Sequence, residues 1–370
     1  MRKADKELAQ KLLTEIRLLA QKINRPLRLM EVCGTHTVAI FRGGLRQILP
    51  KGLELVSGPG CPVCVTDDSY MDKAIAYARR DDVIITTFGD MLKVPGSESS
   101  LGAAKTEGAD VRIVYSPMDS LKIAAENTAK KIVFLAVGFE TTAPTAAATV
   151  IAAKKMGLRN MYFLSAQKLV PPALKFLLAD PEVKVDGFIL PGHVAVVTGR
   201  SAFDFLARDY KMPGVVSGFE PVEILTAIYH LLRQIAAGEP RVENDYKSVV
   251  KEKGNEKSRE MTQEVYEKVD ALWRGIGSIE KSGLKMRETY ADYDIEKILP
   301  ININTTPKKT ACRCGEVLRG IIKPTECPLF NKACTPTHAV GPCMVSVEGV
   351  CAAWQKYGQG VFHFGEGEGK

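Results

Sequence analysis

The sequence predicts an α/β protein built from two related halves and closed by a cysteine-rich module, and three observations carry that prediction. Short β-branched or apolar runs alternate with helical patterns from residue 28 to about residue 237. A fourteen-residue segment occurs twice in that stretch. The nine cysteines fall in two groups, three within the first 64 residues and six within the last 59, with none between residues 65 and 311.

The chain opens with Leu8, Leu12, Leu13, Ile16, Leu19 and Ile23 at helical spacing among Lys and Glu, which predicts an amphipathic helix over residues 1–25 rather than a secretory signal. Apolar runs follow at 28–32, 53–57, 83–88, 111–115, 131–137, 161–166, 187–190 and 214–217. Each is short and bounded by turn-forming residues, as strands buried in parallel sheets are. Helical patterns lie between them at 69–80, 145–156, 172–178 and 222–237.

The repeat pairs residues 59–72 (PGCPVCVTDDSYMD) with 191–204 (PGHVAVVTGRSAFD), which align without gaps on Pro, Gly, Val, Thr, Ser and Asp. Upstream, Cys33-Gly34-Thr35-His36 and Gly138-Phe139-Glu140-Thr141-Thr142 occupy similar strand-end positions. The plain alternative is coincidence in a short window. The expectation is two tandem Rossmann-like domains, residues 26–125 and 126–237, facing each other across a cleft lined by the loops at the strand ends. Residues 238–370 then form a linking region, with a helical pattern at 261–272, and the cysteine-rich module; residues 358–370 read as a mobile Gly/Glu tail.

A net charge of +7, from 50 basic and 43 acidic residues spread along the chain, gives no support to nucleic-acid or membrane binding. No apolar run is long enough to span a bilayer, so a cytoplasmic protein is expected. In that reducing setting nine cysteines point to metal or redox chemistry rather than disulfides.

Cys61 and Cys64 form a C-x-x-C at a strand-to-helix turn, where a helix N-terminus favours thiolate and a dithiol can cycle with a disulfide. Cys33 and His36 offer a soft and a borderline donor beside Gly34; a buried thiol and a satisfied imidazole are the ordinary alternative. Glu140, His193 and Asp90 suit capping or backbone hydrogen bonding as well as function. The last six cysteines follow C-x-C-x12-C-x6-C-x8-C-x7-C. Six thiols exceed the four that one zinc or one [4Fe–4S] cluster needs, and paired zinc knuckles are missing. A cluster beside a redox dithiol, similar to ferredoxin:thioredoxin reductase, is the economical reading.

Together, Cys33–His36, the segment 58–64 (GPGCPVC), the segment 138–142 (GFETT), Pro191-Gly192-His193, the segment 273–277 (WRGIG), Ser282-Gly283-Leu284 and the run 341–346 (GPCMVS) resemble the HypD family of hydrogenase expression/formation proteins. The resemblance spans nearly the whole chain. It implies two facing α/β domains, a third domain with a [4Fe–4S] cluster, and complexes with a HypC-type chaperone and a HypE-type cyanide donor. It further implies that Cys33, with His36 nearby, helps to hold a transient Fe(CN)2CO unit, that Cys61 and Cys64 are the redox pair, and that Cys312, Cys327, Cys334 and Cys351 ligate the cluster. Cys314 and Cys343 are then left as a neighbouring dithiol, and Glu140 and His193 join the catalytic candidates. The competing readings are a cluster-dependent disulfide reductase and a zinc-stabilised binding module. Whether such a scaffold counts as an enzyme is a matter of definition.

Overall fold

The computed structural model describes residues 3–303 and 310–358; the tail expected from residue 358 lies almost wholly outside the described residues. Among the described residues there are eleven strands: β1 (Leu27–Glu31), β2 (Leu53–Ser57), β3 (Val83–Thr87), β4 (Val111–Ile113), β5 (Lys131–Gly138), β6 (Met161–Gln167), β7 (Gly187–Pro191), β8 (Gly214–Ser217), β9 (Val242–Asn244), β10 (Tyr266–Trp273) and β11 (Gly277–Met286). The first eight match the apolar runs to within two residues at each end. Fully buried strands such as β3 and β7 need no polar face, so a short continuous apolar run marks them.

The strands form two parallel sheets and one antiparallel hairpin. The first sheet runs β2-β1-β7-β8-β9, the second β4-β3-β5-β6, and β10 pairs with β11. The tandem division at residue 125 is therefore corrected. β1 lies between β2 and β7, with Leu29 aligned to Leu55 on one side and to Gly187 on the other. The second sheet is an insertion between β2 and β7. The two copies of the repeat consequently follow neighbours of β1 in one sheet, and do not mark two halves.

The first sheet is covered by the amphipathic helix Lys3–Ile23, which packs on the helix Pro221–Ala237. Leu12 and Ile16 enter a core with Ile228, Leu231 and Leu232, whereas Leu8 stays 45% exposed. Each such buried aliphatic side chain contributes about 1.5–3 kcal/mol. Gly238, at φ +70°, ends the helix Pro221–Ala237 in the left-handed conformation that side chains resist.

The linking region differs from its sequence reading. The helix Glu256–Val265, capped by Asn255, stops before Tyr266, and 266–273 is strand rather than helix. Tyr266 and Trp273 are both buried at the ends of β10, so their apolar spacing fits a twisted hairpin as well as a helix turn. The hairpin leans on the second sheet through Lys168 and Leu169, whose N–H donates to Ser282. Beyond it, the module is mostly loop around the short helices Cys314–Leu318 and Val350–Tyr357. The latter packs on the helix Gly34–Arg42 that follows β1.

Candidate functional site

The loops at the carboxyl ends of β1 and β2 lie side by side. The Gly34 N–H donates to the Gly60 carbonyl at 3.0 Å, and a Cβ on Gly60 would sit 2.3 Å from the Cys33 nitrogen, so only glycine lets these loops meet. Cys33 is the N-cap of the helix Gly34–Arg42, and Cys61 that of the turn Pro62–Val65, where its sulfur accepts from the Cys64 N–H at 3.4 Å.

Three side chains absent from the sequence reading fix the Cys33 loop. Glu31, fully buried at the end of β1, accepts from the Cys33 N–H at 3.1 Å and from the Thr37 hydroxyl. Burial pushes its carboxyl up to about 7, opposed by those hydrogen bonds and by Arg46. Glu348, from the module, accepts from the Thr35 hydroxyl at 2.8 Å. Phe219 lies between His36 and His193, with ring centroids 4.6 and 4.0 Å away. A carboxylate inside an apolar strand next to a cysteine motif was the available signal for Glu31. Glu348 and Phe219 are distant in sequence and had none.

His36 is fully buried, and burial lowers its pKa to about 4, so the ring is neutral. Its Nε2 lies 2.8 Å from the Gly218 carbonyl, which only accepts, so Nε2 carries the hydrogen. Nδ1 then holds a lone pair, buried and without a partner. Cys33 has its pKa raised to about 11 by burial, against the N–H groups of His36 and Thr35. His193 is exposed above the same stack, and partial burial lowers its pKa.

The module closes over these loops. Pro342–Met344 packs on Pro62–Val65, the Cys64 sulfur lies 3.8 Å from the Pro342 carbonyl, and the Cys64 and Cys343 thiols are hydrogen-bond partners. Cys343 in turn partners Cys351, and Cys314 partners Cys312. The hydrogen bonds thus join Cys314 to Cys312, and Cys343 to Cys64 and Cys351. All six module cysteines line one cavity, whose remaining walls include Val317, Leu329, Phe330 and Met344 and, among the described residues, no carboxylate or imidazole. A Cβ on Gly341 would lie 2.6 Å from the Cys312 sulfur. Burial pushes the Cys64 and Cys334 thiols up, and Cys351 is pushed up by its hydrogen bond to Cys343 and by burial. A donor set of crowded sulfurs fits a soft-metal centre, whose cations make thiolates the favoured form.

The second sheet contributes differently from expectation. Phe139 stacks on Trp273 at 6.0 Å and joins the core that holds Cys61 and Cys64. Glu140 points elsewhere: it lines a cavity that contains none of the described cysteines. Asp90 begins a turn, Gly89–Lys93, in the first-turn position that suits a carboxylate. Arg274, in the β10–β11 turn, ties the hairpin to the C-x-x-C segment through an ion pair with Asp68 and an N–H bond to the Val65 carbonyl.

Parallel α/β sheets whose strand-end loops carry thiols, closed by a cysteine-lined module, define a thiol-rich α/β protein suited to metal handling. The chain belongs to the HypD family of hydrogenase maturation factors. The family model HypD, described as "Hydrogenase formation hypA family", matches residues 7–358. The hydrogenase maturation factor HypD of Escherichia coli (strain K12) is 46% identical over 345 residues, 92% of each chain. A putative hydrogenase expression/formation protein of Methanocaldococcus jannaschii is 44% identical over 355 residues, 95% of this chain and 98% of its own. The HypD of Rhodobacter capsulatus is 43% identical over 363 residues, 96% of each. Among the described residues no helix is long and apolar enough to cross a membrane.

Proposed function

We propose that this protein is the scaffold and electron donor on which the Fe(CN)2CO unit of [NiFe] hydrogenase is assembled, together with a HypC-type chaperone and a HypE-type cyanide donor. The observation that supports it most is the run of thiols Cys61, Cys64, Cys343 and Cys351, which links the loop beside Cys33 to the six-thiol cavity. Nine free thiols suit a reducing cytoplasm.

In this reading Cys312, Cys327, Cys334 and Cys351 hold a resident [4Fe–4S] cluster, with Cys314 and Cys343 outside the ligand set. When bound, the cluster supplies single electrons. The cargo iron is substrate: the Cys33 sulfur offers it a thiolate and His36 Nδ1 a lone pair held in place by the Gly218 bond. Because the Cys33 thiol is protonated up to about pH 11, iron binding expels a proton, and affinity rises with pH below that value. Cys61 and Cys64 form a disulfide by releasing two electrons and two protons, and recover as thiols by taking them back. Cys343 stands against Cys64 where that pair meets the module. His193 borders the iron site, and Glu140 takes no part in it.

Infrared absorption of the anaerobically co-purified complex tests the scaffold reading. Cys33→Ala should abolish CO and CN bands while leaving the absorbance of the module's cluster. Undiminished bands overturn it, and favour a disulfide reductase that relies on Cys61 and Cys64 alone. Iron and sulfide analysis tests the cluster, which Cys312→Ala should remove; zinc in its place defeats that part.

A further inference from the structure

A second cavity lies between the two sheets, apart from the thiols. It measures about 610 Å3, within the usual range for small-molecule sites. One side comes from the helix Gly192–Thr198 and Phe205 of the first sheet's layer, the other from Glu140 and Ala143 after β5, with the helix Glu256–Val265 and the hairpin closing it. Pro171, Pro172, Phe205 and Leu284 give it apolar walls.

Three polar groups there lack hydrogen-bond partners: Glu140 Oε2, Arg259 Nε and the Tyr266 hydroxyl. Glu140 is only 7% exposed; its Oε1 accepts from the Val170 N–H at 3.0 Å, and its Oε2, buried, accepts from nothing. The Arg259 Nε is likewise buried and unpartnered. A buried carboxylate oxygen left unpaired is costly, and a ligand donor in the cavity would recover that cost. Lys175, Lys268 and Arg287 accompany Arg259 on the lining, so basic groups outnumber Glu140 and Glu267 there. A cationic ligand would meet that rim unfavourably. An anionic one is drawn in, and still has a lone acceptor waiting among the apolar walls.

We propose that this inter-sheet cavity binds a small anionic molecule with a flat apolar body, its N–H donor on Glu140 Oε2 and its anionic group on Arg259. No thiol takes part, and the site stands whether or not the scaffold reading does.

Para-aminobenzoate, benzoate and aniline are the probes, followed by saturation-transfer NMR on the full chain with its metal loaded. Para-aminobenzoate should bind, and roughly tenfold less tightly in Glu140→Leu and in Arg259→Ala. Benzoate should be weakened by Arg259→Ala and left unchanged by Glu140→Leu, because it lacks the donor; aniline should show the reverse. Arg259 is only partly buried, so its variant keeps the test open if Glu140→Leu fails to fold. Absence of para-aminobenzoate binding at millimolar concentration, or binding indifferent to Arg259→Ala, overturns the proposal.

Discussion

Glu31 and Glu140 stand at the carboxyl ends of parallel strands in different sheets, and burial pushes both carboxyls up to about 7. Their surroundings differ. Glu31 has both oxygens engaged, one by the Cys33 N–H and the other by the Thr37 hydroxyl, with Arg46 behind. Glu140 has one oxygen engaged and the other open to a cavity. The same residue type at equivalent places is a clamp in one sheet and an unfilled acceptor in the other. Burial and a perturbed pKa do not separate the two cases; the count of satisfied oxygens does.

Glu31→Ala should break this contrast most forcefully, because it strands a buried N–H, a hydroxyl and part of the charge of Arg46. A loss of about 3–5 kcal/mol is expected in chemical denaturation. Glu140→Leu gives up one N–H partner and should cost about 1–2 kcal/mol. An equal or reversed order of these two variants would dissolve the distinction between clamp and open acceptor.

Acid dependence sharpens it further. Both carboxyls have raised pKa values in the folded chain, so their contribution is complete below about pH 4.5 and is lost as pH rises through about 7. Each contributes at most about 3 kcal/mol across that window. The difference between denaturation midpoints at pH 5 and pH 8 should shrink in Glu140→Gln, with the share of Glu31 remaining, and a variant retaining the full wild-type difference would remove Glu140 as a source. The smallest effect belongs to Arg259→Ala, a partly buried rim residue, which should shift stability by less than about 1 kcal/mol while altering ligand binding. A larger loss of stability would make Arg259 a structural residue.

Eight strands could be read from the sequence because their apolar runs are short and most are followed within two residues by glycine or proline. Their order in the sheets could not, because alternation is blind to which strand neighbours which. The repeat around Cys61 and His193 misled for a physical reason: two strands flanking β1 need the same turn chemistry at the same edge, so similarity arises within one sheet. β9 escaped notice because three residues, Val242, Glu243 and Asn244, carry too little pattern. At the site, the thiols and His36 announced themselves by residue type. Glu140 looked like their companion through its strand-end position, and only the geometry sends its carboxylate to the other cavity.

The insertion of one sheet into the other also governs the order of events on the ribosome. β2 ends at residue 57 and β7 begins at residue 187, so β1 lacks its second neighbour until roughly 130 further residues have been made. At 5–20 residues per second that delay is about 6–26 s, long enough for the second sheet, whose strands all lie between residues 83 and 167, to fold first. The nascent chain therefore displays Cys33, Cys61 and Cys64 on unfinished structure until the module's own cysteines emerge to cover them.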